Sequence, residues 1–366
     1  MNILMDIAHP AHVHLLRNTY FELTKRGHKV IVSVKDIPSA RSLLDLYQIP
    51  YIYLGGKNDT LIGKALLQLK YNLKVWWLVF SNKIDIGFSS SLTLTHISRI
   101  SPMHSIILDD DDDAVEPLFV KYAHPFADVV LSPECAKRAT KKLIPYRGYH
   151  ELAYLHPNRF IPDNSVLAEI GLKEGDTYFV LRFNAFKAHH DVGVQGLSLE
   201  NKRQLIATLE QRGKVFITTE RAIDPEFEKY QLVLSPEKVH SLIYYATMLV
   251  GDSQTMTSEA AVLGTPAIRS NSFVGKISYL EEEEHKYALT YGFRPDEFDK
   301  MLNKIDELLS IPNLKDVWQK RRRVMLKDKI DVTAFYLWFI ESYPESSQIM
   351  KENPDFQNCF RRSEEG

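Results

Sequence analysis

Gly251-Asp252-Ser253-Gln254-Thr255-Met256-Thr257-Ser258-Glu259-Ala260-Ala261-Val262-Leu263-Gly264-Thr265-Pro266 is the stretch on which the fold turns. The apolar run 248–250 before it reads as a strand, and small polar residues then turn the chain. Residues 255–263 read as a helix, which Gly264-Thr265-Pro266 stops before another strand at 267–268. The first backbone N–H groups of such a helix have no partner within it and suit a phosphate. Glu259, about one turn further in, is placed to accept hydrogen bonds from a pair of hydroxyls such as a ribose carries. The same letters also describe an ordinary strand–helix turn with a capping Ser or Thr and a solvated Glu.

Strand–helix alternation extends in both directions from this stretch. Toward the N-terminus, strands are predicted at 2–7, 29–34, 51–54, 84–88, 105–108 and 129–131, with helices at 13–26, 39–46 and 61–80. The rhythm breaks between 144 and 163, where Pro145, Gly148, Pro157 and Pro162 stand among tyrosines and histidines. It restarts with strands at 178–181, 215–218, 232–234, 248–250 and 267–268 and helices at 199–212, 239–246 and 255–263. Helices follow at 298–309, 315–327 and 332–342. Parallel strands need crossover connections, so the prediction is α/β: two Rossmann-like, doubly wound domains facing across a cleft, with C-terminal helices. The expected division is 1–145, a linker at 146–164, a second domain at 165–312, helices at 313–343 and a frayed polar tail at 344–366.

The 366 residues suffice for about two domains. With 45% hydrophobic and 25% charged residues, the chain has the balance of a soluble globular protein rather than a disordered one. Lys+Arg 45 against Asp+Glu 47 leaves a net charge of -2, so no basic excess advertises nucleic acid. Cys135 and Cys359 form no CxxC pair, which speaks against a disulfide framework or a thiolate metal site and for a reducing, cytoplasmic setting. The apolar run 73–80 is too short to span a bilayer. The aromatic, basic segment 64–83, with Trp76 and Trp77, reads as a core-facing helix, with peripheral contact to a membrane as the alternative.

Three further clusters carry possible chemistry. His9, His12 and His14 stand where the first strand meets the first helix, and imidazoles there can serve as a general base or as hydrogen-bond donors to a phosphate. Asp109 opens a run of five carboxylates, 109–113, which with Glu116 reads as a solvated loop or as a catalytic carboxylate facing a sugar. Arg182 ends the first strand of the second half and offers planar donors to a diphosphate, while His190 with Asp191 makes a possible oriented imidazole–carboxylate pair. Glu220 ends the next strand, and His240 lies on the helix before the Gly251 turn. No metal site is expected among these residues.

The turn and helix from Gly251 to Pro266 resemble the nucleotide-binding stretch of GT-B glycosyltransferases and non-hydrolysing UDP-N-acetylglucosamine 2-epimerases. His12-Val13 with Arg26-Gly27-His28-Lys29-Val30, and Asp85-Ile86-Gly87-Phe88 with the serines after it, resemble the first domain of MurG-like transferases. Residues from about 2 to 290, including Asp6-Ile7-Ala8-His9-Pro10-Ala11-His12-Val13-His14, Gly148-Tyr149-His150-Glu151 and Leu181-Arg182-Phe183, look like a glycosyltransferase-like family known as a domain of unknown function. The resemblance implies a GT-B transferase using a nucleotide sugar, a UDP-sugar foremost, in polysaccharide or glycan assembly, without a resident cofactor. Its implied partners are that donor and a glycan or lipid-linked acceptor. In that frame Ser253, Gln254, Thr255 and Met256 bind the diphosphate and Glu259 the ribose. Arg182 offsets leaving-group charge, Glu220 meets a sugar hydroxyl, and His240 contacts the base. His12, at the position of a MurG-like Gly-His-Val, orients or deprotonates the acceptor. A UDP-sugar 2-epimerase on the same scaffold, or a sugar-nucleotide-binding module without turnover, are the alternatives. The first loop departs from the Gly-Thr-Arg-Pro-Glu type of the epimerases.

Overall fold

The structure is a computed structural model that describes residues 1–56, 61–183, 196–219 and 223–361. It divides into two compact units, Met1–Arg159 with Lys329–Gly366, and Phe160–Asp328. Both are parallel α/β sandwiches, as the alternation predicts.

Unit 1 contains β1 (Asn2–Ile7), β2 (Lys29–Lys35), β3 (Tyr51–Gly55), β4 (Ile86–Ser89), β5 (His104–Leu108), β6 (Val129–Pro133) and β7 (Leu143–Tyr146). They form one parallel sheet in the order β3-β2-β1-β4-β5-β6-β7. The helices α1 (Pro10–Lys25), α2 (Pro38–Leu46) and α3 (Leu61–Asn82) make the first crossovers. Strands buried on both faces read as continuous apolar runs, and Ile3, Leu4 and Met5 of β1 are fully buried. Leu4, Ile107 and Val130 pack with Val75, Leu78 and Val79 of α3; each such side chain contributes about 1.5–3 kcal/mol. Strand order reverses between β1 and β4. Loops part there above the carboxyl ends, which is where ligands of open α/β sheets bind.

Buried Asp6 holds this crevice together. It accepts hydrogen bonds from Ser33 Oγ of β2 (2.7 Å) and from Ser91 Oγ after β4, and Ser89 Oγ donates to its backbone carbonyl.

Unit 2 contains β8 (Tyr178–Arg182), β9 (Lys214–Thr218), β10 (Met248–Gly251), β11 (Ala267–Ser270) and β12 (Thr290–Phe293), in the parallel order β12-β11-β10-β8-β9. Here the order reverses between β8 and β10, so Arg182 and Gly251 end the two strands that flank the crevice.

Four expectations are corrected. β7 runs into the start of the stretch read as a linker; it tolerates Pro145 because it is an edge strand with no ladder on one side. β12, also an edge strand, was missed. Residues 232–234 are not a strand: Gln231 makes one isolated bridge to Ile217, and Val233 is 91% exposed. The segment after Pro344 is not frayed in its described part. It forms a helix at Glu345–Glu352 and a 3-10 helix at Pro354–Phe360. Phe356 and Phe360 anchor it, their rings 4.6 and 5.6 Å from that of Trp338.

Candidate functional site

Two groups of side chains gather at the two strand-order reversals, one in each unit. In unit 1, α1 starts directly from β1. His9 caps it, Nδ1 accepting from the backbone N–H of Ala11 at 3.2 Å, while Pro10 supplies a fixed φ at the first helical position. His9 is therefore an exposed cap. His14 turns away onto tyrosines, its ring 6.0 Å from Tyr47 and 5.6 Å from Tyr154. His12 faces the crevice. The Ala8 N–H donates to its Nδ1 at 3.4 Å, which leaves the proton on Nε2. Burial, followed by the charges of His9 and His150, pushes its pKa down to about 3. At neutral pH His12 is thus a neutral hydrogen-bond donor and a weak base.

The aspartate run after β5 is not a solvated loop. Asp109 is buried, Oδ1 2.6 Å from Arg138 Nη2 and Oδ2 2.8 Å from His124 Nε2. Asp112 accepts the Lys137 N–H, and Asp113 accepts the Ala139 N–H at 2.8 Å and Arg138 Nη1 at 3.1 Å. These three carboxylates fasten the loop to the segment after β6. Asp109 thereby takes an anchoring place rather than an open one.

Asp110 and Asp111 are left on the other side. Asp110 Oδ2 lies 3.2 Å from His150 Nδ1. Burial pushes Asp110 up, but the charge and hydrogen bond of His150 outweigh it and hold the carboxyl below its usual range. Nδ1 of His150 is thus engaged, while its buried Nε2 has no partner among the described residues. An imidazole fixed by a carboxylate at one nitrogen and unpartnered at the other is the arrangement of a general base. Asp111 is half-buried, and burial together with the charges of Asp110, Glu116 and Asp109 pushes it up to about 8. It is a carboxylic acid at neutral pH. In the sequence His150 stands among residues whose prolines, Pro145 and Pro157, mark a linker, and nothing local assigns it a role. Packing fixes the segment instead: Asn18 Nδ2 and Thr333 Oγ1 both donate to the Ala153 carbonyl, at 2.9 and 2.6 Å.

In unit 2 the Gly251 turn behaves as predicted. A Cβ at Gly251 would lie 2.1 Å from the Arg182 carbonyl oxygen, so only glycine lets β10 close on β8 there. Ser253 caps the helix Gln254–Leu263 by accepting the Met256 N–H at 3.3 Å, and Gly264 ends it at φ 73°. The Ser253 hydroxyl therefore serves the helix, and Gln254 and Thr255 present the N–H groups of its first turn. Asn271 Nδ2 donates to the Asp252 carbonyl at 3.0 Å and steadies the turn from β11. Arg182 is nearly buried, with Nη1 3.4 Å from Thr218 Oγ1. Glu259 is not a solvated helix residue: Oε1 lies 2.9 Å from Nε2 of buried His240, against whose ring Phe160 packs edge-on. His240 thus meets Glu259 directly. His190, Asp191 and Glu220 lie outside the described residues. Among the described residues no three His, Cys, Asp or Glu side chains are grouped to hold a metal ion, and no helix is long and apolar enough to cross a membrane.

Two doubly wound parallel units, each with a strand-order reversal, define a GT-B-like fold. The chain resembles S. aureus MnaA in its UDP co-structure over 100% of both chains, with a TM-score of 0.64 at 11% identity. It resembles the UDP-GlcNAc 2-epimerase from Neisseria meningitidis bound to UDP-GlcNAc over 90% of this chain and 99% of that one, with a TM-score of 0.60 at 11% identity. For the spinosyn rhamnosyltransferase SpnG complexed with thymidine diphosphate the figures are 92% and 98%, 0.60 and 11%. At such identity the likeness shows the fold. By sequence, the chain belongs to the family described as Protein of unknown function (DUF354), which matches residues 1–331. It is also 20% identical over 305 residues to an uncharacterized protein of Methanocaldococcus jannaschii, covering 78% of this chain and 86% of that protein.

Proposed function

We propose that this protein is a glycosyltransferase that uses a nucleotide-sugar donor, a UDP-sugar foremost, and a glycan or lipid-linked acceptor. The observation that carries the reading is the unpartnered Nε2 of His150, held at its other nitrogen by Asp110. In this reading His150 Nε2 takes the acceptor hydroxyl proton as that oxygen attacks the anomeric carbon, and the bond from that carbon to the diphosphate oxygen breaks. His12, neutral and carrying its proton on Nε2, orients the acceptor. The donor nucleotide belongs to unit 2. The first-turn N–H groups of Gln254 and Thr255 meet the diphosphate, with Met256 beside them. Arg182 offsets the charge of the leaving group. Glu259, fixed by His240, takes the ribose. The neighbours that carry UDP, UDP-GlcNAc or thymidine diphosphate support a nucleotide on this fold.

A second reading, epimerisation of a UDP-sugar, is favoured by one observation: Asp111 is a protonated acid beside the Asp110–His150 pair, so an acid and a base stand together. Incubation with UDP-sugars, with and without glycan acceptors, separates the two. Acceptor-dependent release of UDP that His150→Ala abolishes supports transfer. Acceptor-independent appearance of an epimer supports isomerisation and overturns transfer, and failure to bind any nucleoside diphosphate overturns both.

A further inference from the structure

Helix α3 is apolar on two faces. Tyr71, Val75, Leu78 and Val79 bury one of them against the sheet of unit 1. On the other, Leu66 (64%), Leu73 (61%) and Trp77 (63%) are exposed together with Leu69, Trp76 and Phe80. The spacing of these six residues forms one continuous stripe about 100° wide. Trp76 and Phe80 lie against each other with ring centroids 4.7 Å apart. Beside the stripe, exposed Ile52 and Tyr53 of edge strand β3 complete an apolar groove of about 410 Å³ with Leu73 and Trp77. Scattered exposed hydrophobics are ordinary, but a contiguous stripe on a folded unit marks an interaction surface.

The charge pattern selects the occupant. The 22 residues of α3 include Lys64, Lys70 and Lys74 and no Asp or Glu, and Lys83 follows directly. Exposed Lys70 lies next to the stripe. A symmetric contact between two copies would set one acid-free, lysine-bearing helix against another, a like-charge juxtaposition. We propose that this face seats on an anionic lipid bilayer, with α3 in the plane of the surface. Trp76 and Trp77 enter the headgroup–acyl boundary, the leucines lie beneath, and Lys70 and Lys83 meet lipid phosphates. The helix is not long and apolar enough to cross, so the contact is peripheral. The inference stands independently of the reaction proposed above.

The test is co-sedimentation of the full chain with phosphatidylcholine vesicles, with and without phosphatidylglycerol. The expected result is binding to the phosphatidylglycerol-containing vesicles, with tryptophan emission shifted to the blue. Leu73→Glu with Trp77→Glu should weaken binding on the order of tenfold or more, and Lys70→Glu should weaken it less and in a salt-dependent way. Both positions of the double variant are exposed, and far-UV circular dichroism with a cooperative thermal transition confirms that it folds. Absence of binding to anionic vesicles, or binding that the double variant retains in full, overturns the proposal. A wild-type dimer that the double variant converts to monomer, without vesicle binding, also overturns it and gives the stripe to a second copy.

Discussion

His240 Nε2 stands 2.9 Å from Glu259 Oε1 with both side chains buried, so the carboxylate expected to meet a ribose is held by an imidazole from the preceding helix. The geometry of Glu259 is thereby set before any ligand arrives, and less side-chain freedom remains to be lost on binding. Glu259→Ala should weaken UDP binding by about 1.5–3 kcal/mol, roughly 10- to 150-fold, in calorimetric titration. His240→Ala should weaken it in the same direction by a smaller factor and lower the melting temperature, because buried Glu259 then loses the imidazole that holds it.

In the proposed transfer reaction, His150 and Asp110 act on turnover and not on nucleotide affinity. His150→Ala should reduce the rate of sugar transfer on the order of 10²- to 10⁴-fold while the Kd for UDP stays within a factor of about two. Asp110→Asn should cost less, since the amide oxygen can still accept from His150 Nδ1 and hold the imidazole. A rate unchanged by either substitution would remove the base from this pair.

Asp111 should make stability fall as pH rises. Its folded pKa, about 8, exceeds the ordinary 3.8, so between these values the native state holds a proton that the unfolded chain has released. Stability is lost progressively across that window and levels off above it. Asp111→Asn should abolish the decline, seen as urea midpoints that no longer drop between about pH 5 and 8. His12 works oppositely. Its depressed pKa, about 3 against 6.5, makes stability fall as pH drops through that lower window, and His12→Gln should flatten it.

The parts of this molecule legible in its sequence are those fixed by neighbours in the chain. The Gly251 turn, its Ser253 cap and the Gly264 stop depend on residues a few places apart, and the structure keeps them where periodicity and turn chemistry put them. The His150 segment was illegible for the opposite reason. Its prolines signal a loop locally, while its order comes from α1 and from a helix some 180 positions later, through Asn18 and Thr333. The aspartate run shows the same limit. Charge alone reads as solvation, and only the arrival of Arg138 and His124 from distant segments sorts the anchoring Asp109 from Asp110 and Asp111.

The C-terminal segment should behave as part of the core. Trp338 is covered by Phe356 and Phe360, and Gln357 Oε1 accepts the Arg147 N–H at 2.6 Å. Phe356→Ala should cost about 1–3 kcal/mol of unfolding free energy, measured by urea denaturation, with UDP affinity unchanged.

Arg159 Nε meets Asp331 Oδ2 at 2.9 Å, within two residues of the return of the chain at Lys329. The outgoing and returning strands of the polypeptide are therefore clasped at one place, and everything from Phe160 to Asp328 hangs from unit 1 as a covalent loop with adjoining ends. A gene arranged this way can exchange that whole insert by two crossovers, one at each end of its coding stretch, and the swapped ends meet again at one place on the framework that carries His150. Loss of the last coding segment by a premature stop, in contrast, would strike the N-terminal framework, far from it in sequence, and spare the insert.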